Sequence, residues 1–212
     1  VANMMVFRVG AVVAEKSGIT KISDLEDKRV PFGFKAAPIF NYVMGSMMAN
    51  GDVSYDEVKK VPAVGLPQHW SLFKEGSLDV AVVAVGTGVL KEMNAVIDGG
   101  VRYISLDPSE EAVKRTEAVY PKSYLKQVMP SKALVGIKEP TYTLHFDYLL
   151  WANKDVADET VYKVTKAMYE NEADLKASSP LWRTHSSANM AKDQGAPYHP
   201  GALRFYKEVG LR

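Results

Sequence analysis

Three stretches of the 212-residue sequence bring together residue types that could do chemistry. In the first, Arg29-Val30-Pro31-Phe32-Gly33 reads as a short apolar strand that runs into Phe34, Lys35, Ala36, Ala37 and Pro38. Ile39, Phe40, Val43, Met44 and Met47 then recur at helical spacing until Asn50-Gly51 stops them. Pro38 suits the first helical position, where no backbone donor is needed. A loop of this kind, at the carboxyl end of a strand, turns helix-start N–H groups toward an anion, and Lys35 adds a full charge. The second stretch repeats the plan. The apolar run 79–85 (DVAVVAV) meets Gly86, Thr87 and Gly88 before a helix predicted over 89–97. Its glycines permit close backbone approach, and Thr87 can donate to an oxygen. A single βα loop ordinarily does no more than connect, but two at neighbouring strand ends predict an anion site. The third stretch holds His145 and Asp147, two apart on a strand predicted over 141–151 and so on one face, as an acid–base pair would be. No nucleophile or third orienting group accompanies them, and a histidine among aromatics is ordinarily structural.

Other chemistries are absent from the sequence. Neither Gly-x-Gly-x-x-Gly nor Gly-x-x-x-x-Gly-Lys-Ser/Thr occurs, which argues against dinucleotide and nucleoside triphosphate cradles. There is no cysteine, so disulfides, zinc thiolate sites and thiol nucleophiles are all excluded. The 26 basic and 25 acidic residues leave a net charge of +1, with no bulk attraction to nucleic acid or to a membrane surface. The uncharged run 80–90 is too short to span a bilayer and contains two glycines, so it reads as a buried strand and turn. The sequence opens Val1-Ala2-Asn3, without an initiator methionine or signal peptide, and is expected to be processed, trimmed or cut from something longer.

The elements that must position these residues alternate along the chain. Residues 6–14 read as a buried strand, 22–25 as a helical turn capped by Ser23, 55–58 as a second turn and 59–64 as a strand. A helix over 69–76 turns Trp70 and Phe73 inward, a strand covers 101–106, and a charged surface helix covers 108–119. Residues 120–140 read as a crossing segment. One helix is predicted from Asp158 to Lys176, with Val161, Val164, Thr165, Met168 and Leu175 on its buried stripe, and a last helix over 202–209. With 47% hydrophobic residues and alternating strands and helices, the fold class is α/β, with doubly wound sheet architecture.

The order of several segments resembles the TAXI branch of TRAP transporter solute-binding receptors. Ser17-Gly18-Ile19 with Asp24-Leu25-Glu26-Asp27-Lys28-Arg29-Val30 is similar to that family's opening of a lobe, and Lys74-Glu75-Gly76-Ser77-Leu78-Asp79-Val80-Ala81 to its strand entry. Val161-Tyr162-Lys163 through Glu170-Asn171 is similar to its late helix. The close Pro197-Tyr198-His199-Pro200-Gly201-Ala202-Leu203-Arg204-Phe205-Tyr206-Lys207-Glu208-Val209-Gly210 is the most specific piece. The resemblance implies a type II periplasmic-binding-protein fold. One complete doubly wound lobe is expected at residues 19–138. Residues 1–18 and 139–212 are expected to form part of a second lobe that lacks a segment ahead of Val1.

The function so implied is a non-catalytic receptor, or fragment of one, in the periplasm. It would capture a small carboxylate-bearing solute, an organic anion or an amino acid, in an interlobe cleft by hinge closure near Gly18 and Pro140. Its partners would be the membrane subunits of a TRAP system, with no nucleic acid, no cofactor and no metal. A homo-oligomer through the incomplete lobe is expected. Where many relatives carry Gly-Ser-Gly this chain has Lys35-Ala36-Ala37-Pro38, so the identity of the solute does not carry over. Two alternatives stand beside the receptor: an α/β enzyme using His145 and Asp147, and a ligand-sensing input domain of a signalling protein.

Overall fold

The apolar runs of the sequence become strands, and most of those strands join one sheet. In the computed structural model, which describes residues 1–212, the order is β1 (Ala2–Ala14), β2 (Arg29–Gly33), α1 (Ile39–Asn50), β3 (Lys59–Ala63), α2 (Leu66–Lys74), β4 (Ala81–Ala84) and α3 (Gly88–Val96). Then follow β5 (Val101–Tyr103), α4 (Glu110–Val119), β6 (Tyr124–Val128), β7 (Thr141–Leu150), α5 (Asp158–Glu170), α6 (Glu172–Ser178) and α7 (Pro200–Glu208). Five strands form a sheet in the order β4-β1-β7-β6, with β5 also on β1, while β2 and β3 form a parallel pair of their own. The class is α/β.

The doubly wound expectation needs one refinement, because β1 runs antiparallel to both β4 and β5, and β6 antiparallel to β7. A continuous apolar run is compatible with either direction, since both bury both faces of the strand. The expected crossing segment 120–140 also contains a strand. β6 (YLKQV) is missed by periodicity because four of its five residues are not buried, as befits an edge.

The chain divides into two compact units, Arg8–Phe146 and Val1–Phe7 with Asp147–Arg212. The first is wider than residues 19–138 because Val9–Val12 pair with β4 and Val12–Ala14 with β5, and because the β6–β7 ladder reaches His145. Its core gathers Val12, Phe73, Val83, Leu90, Met93 and Tyr103, all buried. α1 and α4 are tied by Asn50. The Asn50 amide donates to the Asp107 carbonyl at 2.9 Å and accepts from the Asp107 N–H at 2.8 Å. Arg115 of α4 donates to the Ala49 and Asn50 carbonyls that end α1, at 2.9 and 2.7 Å. The turn over Ile22–Leu25 is held by Asp24, whose carboxylate accepts from the Thr20 and Lys21 N–H groups, so Ser23 is not its cap.

β2 and β4 start together. The Arg29 guanidinium meets Asp79 through Nη2 at 2.6 Å and Nε at 3.1 Å, the Arg29 N–H donates to the same carboxylate at 2.7 Å, and Asp79 returns its own N–H to the Arg29 carbonyl. Arg29 Nη1 also reaches the Gly76 carbonyl at 2.6 Å.

In the second unit the core is built by Ala2, Val161, Met190, Ala202, Phe205 and Tyr206. Phe205 stands edge-on to Tyr162 and Tyr169 at 5.7 and 5.3 Å. The motif Tyr198-His199-Pro200-Gly201 has a structural reason here. His199 Nδ1 accepts the Gly201 N–H at 3.2 Å as the cap of α7, and Pro200 takes the first helical position. At Gly201 a Cβ would fall 2.2 Å from the Asp158 carbonyl oxygen, so only glycine lets α7 approach the start of α5. The predicted helix 158–176 breaks at Asn171, whose side chain bonds back to the Ala167 carbonyl at 2.8 Å. Val164 of its expected buried stripe is 41% exposed, while Val161 and Thr165 are buried as expected.

The Arg29–Asp79 pair gives a test with a sign. Burial pushes the Asp79 carboxyl up, but the hydrogen bonds from the Arg29 side chain and backbone outweigh it and hold the group below its ordinary range. A depressed folded value contributes stability that is complete above the unfolded value of about 3.9 and fades as pH falls through the folded one. Asp79→Asn is therefore expected to lose about 1–2 kcal/mol at pH 7, allowing for partial exposure, in urea unfolding. The gap to wild type should narrow as pH falls from 7 toward 3; an equal gap at both pH values, or none at pH 7, contradicts the pairing.

Candidate functional site

The β2–α1 loop is fixed from three directions. At its start, Asn41 of α1 clamps Gly33 twice, accepting the Gly33 N–H at 2.9 Å and donating to the Gly33 carbonyl at 2.9 Å. Phe34 follows at φ 34°, fully buried, between the rings of Phe40 (6.1 Å) and His69 (5.3 Å). Beyond it the Ala36 N–H donates to the Val64 carbonyl at 2.8 Å and the Ala37 N–H to the Phe34 carbonyl at 2.8 Å.

These bonds correct one expectation. The N–H groups of Gly33, Ala36, Ala37, Phe40 and Asn41 all have partners within the protein, so this helix start does not offer an open row of donors. Pro38, which stands at the cap rather than the first helical position, has no N–H to give. Lys35 is exposed and takes part in no ion pair.

The β4–α3 loop is different. Gly86 holds φ 88°, the left-handed region that favours glycine. Thr87 occupies the cap position of α3 but turns its hydroxyl back to the Ala84 carbonyl at 2.9 Å, so no side chain caps the helix. A Cβ built on Gly88 meets nothing within 4 Å. The first turn of α3 is thus open, with donors and the positive end of the helix dipole unclaimed by a cap.

Arg29 and Asp79 join the start of β2 to the entry of β4, although the two strands belong to different sheets. Their carboxyl ends carry the two loops. The β2–α1 loop bonds directly to the β3–α2 connection through Ala36 and Val64, and its link to β4 runs through His69. His69 is fully buried on α2, and its Nε2 lies 3.2 Å from the Val82 N–H and 3.1 Å from the Val82 carbonyl. Sequence reading places His69 only as the first residue of a helix; the signal for more would be its neighbour Trp70, since an adjacent His-Trp pair on a helix beside a buried strand supplies two ring nitrogens. Asn41 is missed for the same reason, because its partner is a backbone group eight positions back.

His145 and Asp147 do not form a working pair. Thr143 Oγ1 lies 3.0 Å from His145 Nε2, the ring leans on Tyr124 at 5.5 Å, and burial first, then Arg8 and Lys126, lower its pKa to about 4. Asp147 accepts from Lys192 at 2.6 Å, Gln194 at 2.9 Å and Asn3 at 3.3 Å. These contacts outweigh its burial and hold it below the ordinary carboxylate range. No three His, Asp or Glu side chains converge as metal ligands, and no helix is long and apolar enough to cross a membrane.

Comparison with solved structures finds periplasmic and transporter binding proteins at low identity. The aliphatic sulphonate binding protein SsuA of Escherichia coli is 12% identical, with a TM-score of 0.44 over 100% of this chain and 56% of that one. The alkanesulfonate-binding SsuA of Xanthomonas axonopodis pv. citri, solved with MOPS, is 14% identical, with a TM-score of 0.45 over 99% and 59%. The substrate binding protein of an amino acid ABC transporter is 14% identical, with a TM-score of 0.40 over 80% and 55%. The chain spans between half and two thirds of the length of each of these structures. A family model matches from residue 1 to residue 210, and the chain belongs to the NMT1-like family.

Proposed function

We propose that the chain is the solute-binding part of a periplasmic receptor serving a TRAP-type transporter, and that its solute is a small organic or amino acid bound through a carboxylate. The observation that carries this reading is the open start of α3, where Thr87 leaves the helix uncapped and Gly88 leaves room for a ligand. An anion placed there meets aligned N–H donors and the dipole end, and Lys35 on the neighbouring loop supplies a countercharge. Both loops stand at carboxyl ends of strands, where open α/β sheets collect ligands. The order of segments that resembles the TAXI receptors supports the transport role. The separate partners of His145 and Asp147 favour binding over turnover.

Binding would use the protein without a covalent step. The solute's carboxylate would replace water on the α3 donors, and the internally hydrogen-bonded β2–α1 loop would carry Lys35 beside it.

Calorimetric titration with acetate, pyruvate, succinate, glutamate and neutral sugars tests this. A carboxylate is expected to bind, sugars are not, and Lys35→Ala should weaken the carboxylate by about tenfold or more, the loss of one charge-assisted contact. Preference for sugars, or an unchanged affinity in the variant, contradicts the proposal. Gly88→Val separates site from fold. Its Cβ meets no protein atom within 4 Å, so the melting temperature should hold while carboxylate binding is lost. A variant that binds as wild type does would remove α3 from the site.

A further inference from the structure

We propose that His69 is the positioning residue of this site, one side chain that fixes the β2–α1 loop and the β4–α3 loop relative to each other. The inference rests on reading those loops as the solute-contacting ones. It begins at the edge of β4. Ala11 faces Val82 across the β1–β4 ladder, yet the Ala11 carbonyl accepts from Ile104 on the other side of β1. In an antiparallel ladder this makes Ala11 and Val82 a non-hydrogen-bonded pair, so the N–H and C=O of Val82 point away from β1.

On that outer edge no strand meets them. Two consecutive side chains of α2 do so instead: His69 Nε2 lies 3.2 Å from the Val82 N–H and 3.1 Å from its carbonyl, and Trp70 Nε1 donates to that carbonyl at 3.0 Å. Burial lowers the pKa of His69 to about 4 against the opposing pull of the Val82, Leu66 and Gly65 carbonyls, so the ring is neutral at ordinary pH.

The same ring packs against Phe34 at 5.3 Å and 76°. Phe34 holds a positive φ without being glycine, a conformation that persists only where the surroundings impose it. Its side chain is fully buried between Phe40 and His69, so the imidazole forms one wall of the socket that imposes it. One end of His69 therefore sets the backbone that presents Lys35. The other holds β4, which leads into Gly86.

Two substitutions divide these contacts. His69→Phe keeps a ring against Phe34 and removes the polar contact to Val82; His69→Gln keeps a polar side chain and removes the ring. Amide hydrogen exchange on the full chain is expected to rise about tenfold at residues 82 and 86–89 in His69→Phe, with residues 34–37 little changed, and to show the reverse order in His69→Gln. Trp70→Phe, which removes only the donor to the Val82 carbonyl, should loosen 86–89 and spare 34–37, and serves if either His69 variant fails to fold. A uniform rise across residues 8–146, or no response in either loop, overturns the proposal. Glutamate and succinate titrations of the same variants should show about tenfold weaker binding than wild type at unchanged stoichiometry. Absence of binding in wild type would defeat the receptor reading alone, since the exchange pattern decides the role of His69 without any ligand.

Discussion

A buried strand edge must have its N–H and C=O groups paired, and at Val82 that requirement falls on side chains rather than on another strand. The first residue of β2, Arg29, is joined by backbone to Asp79, two residues ahead of β4, and the two strands belong to separate sheets. The gap is closed by His69 and Trp70. An orphaned pair of groups in this interior would cost on the order of 1–3 kcal/mol each, comparable with a sizeable fraction of a domain's stability. The helix that supplies the rings is thus held in register with β4, and the loops at both strand ends take their positions from it.

This arrangement gives the two loops different characters. The β2–α1 loop is closed on itself, with its donors spent on Val64, Phe34 and the first turn of α1, and it contributes a rigidly presented cation. The β4–α3 loop keeps its helix start open because Thr87 turns its hydroxyl away. The proposed site, with one charge and one uncapped helix start, would favour an anion of modest size. Both features rest on short-range geometry within Arg8–Phe146, the unit that contains every candidate loop residue.

Much of this was legible in the sequence, for reasons that can be named. The junctions at 30–38 and 79–88 announce themselves because a buried apolar run, a glycine and a helical period follow one another, and local chemistry decides each. The His199-Pro200-Gly201 opening of α7 is equally local, a cap, a first-turn proline and a close approach. The direction of β1 was not legible, since a strand buried on both faces carries no mark of its neighbours' polarity. β6 was hidden by its exposed residues, and the break at Asn171 by a helical period that continues on either side of it. The spent donors of the β2–α1 loop and the role of His69 depend on Val64 and Val82, partners that no spacing rule connects to them.

The central claim is that a small carboxylate is held by the open start of α3 and by Lys35. The most direct measurement is the ¹H–¹⁵N spectrum of the chain titrated with glutamate and succinate, read residue by residue. The account predicts saturable shifts that cluster at Gly88, Val89 and Leu90 and at Lys35. Shifts that cluster elsewhere in Arg8–Phe146, or a spectrum that no carboxylate perturbs, would contradict it.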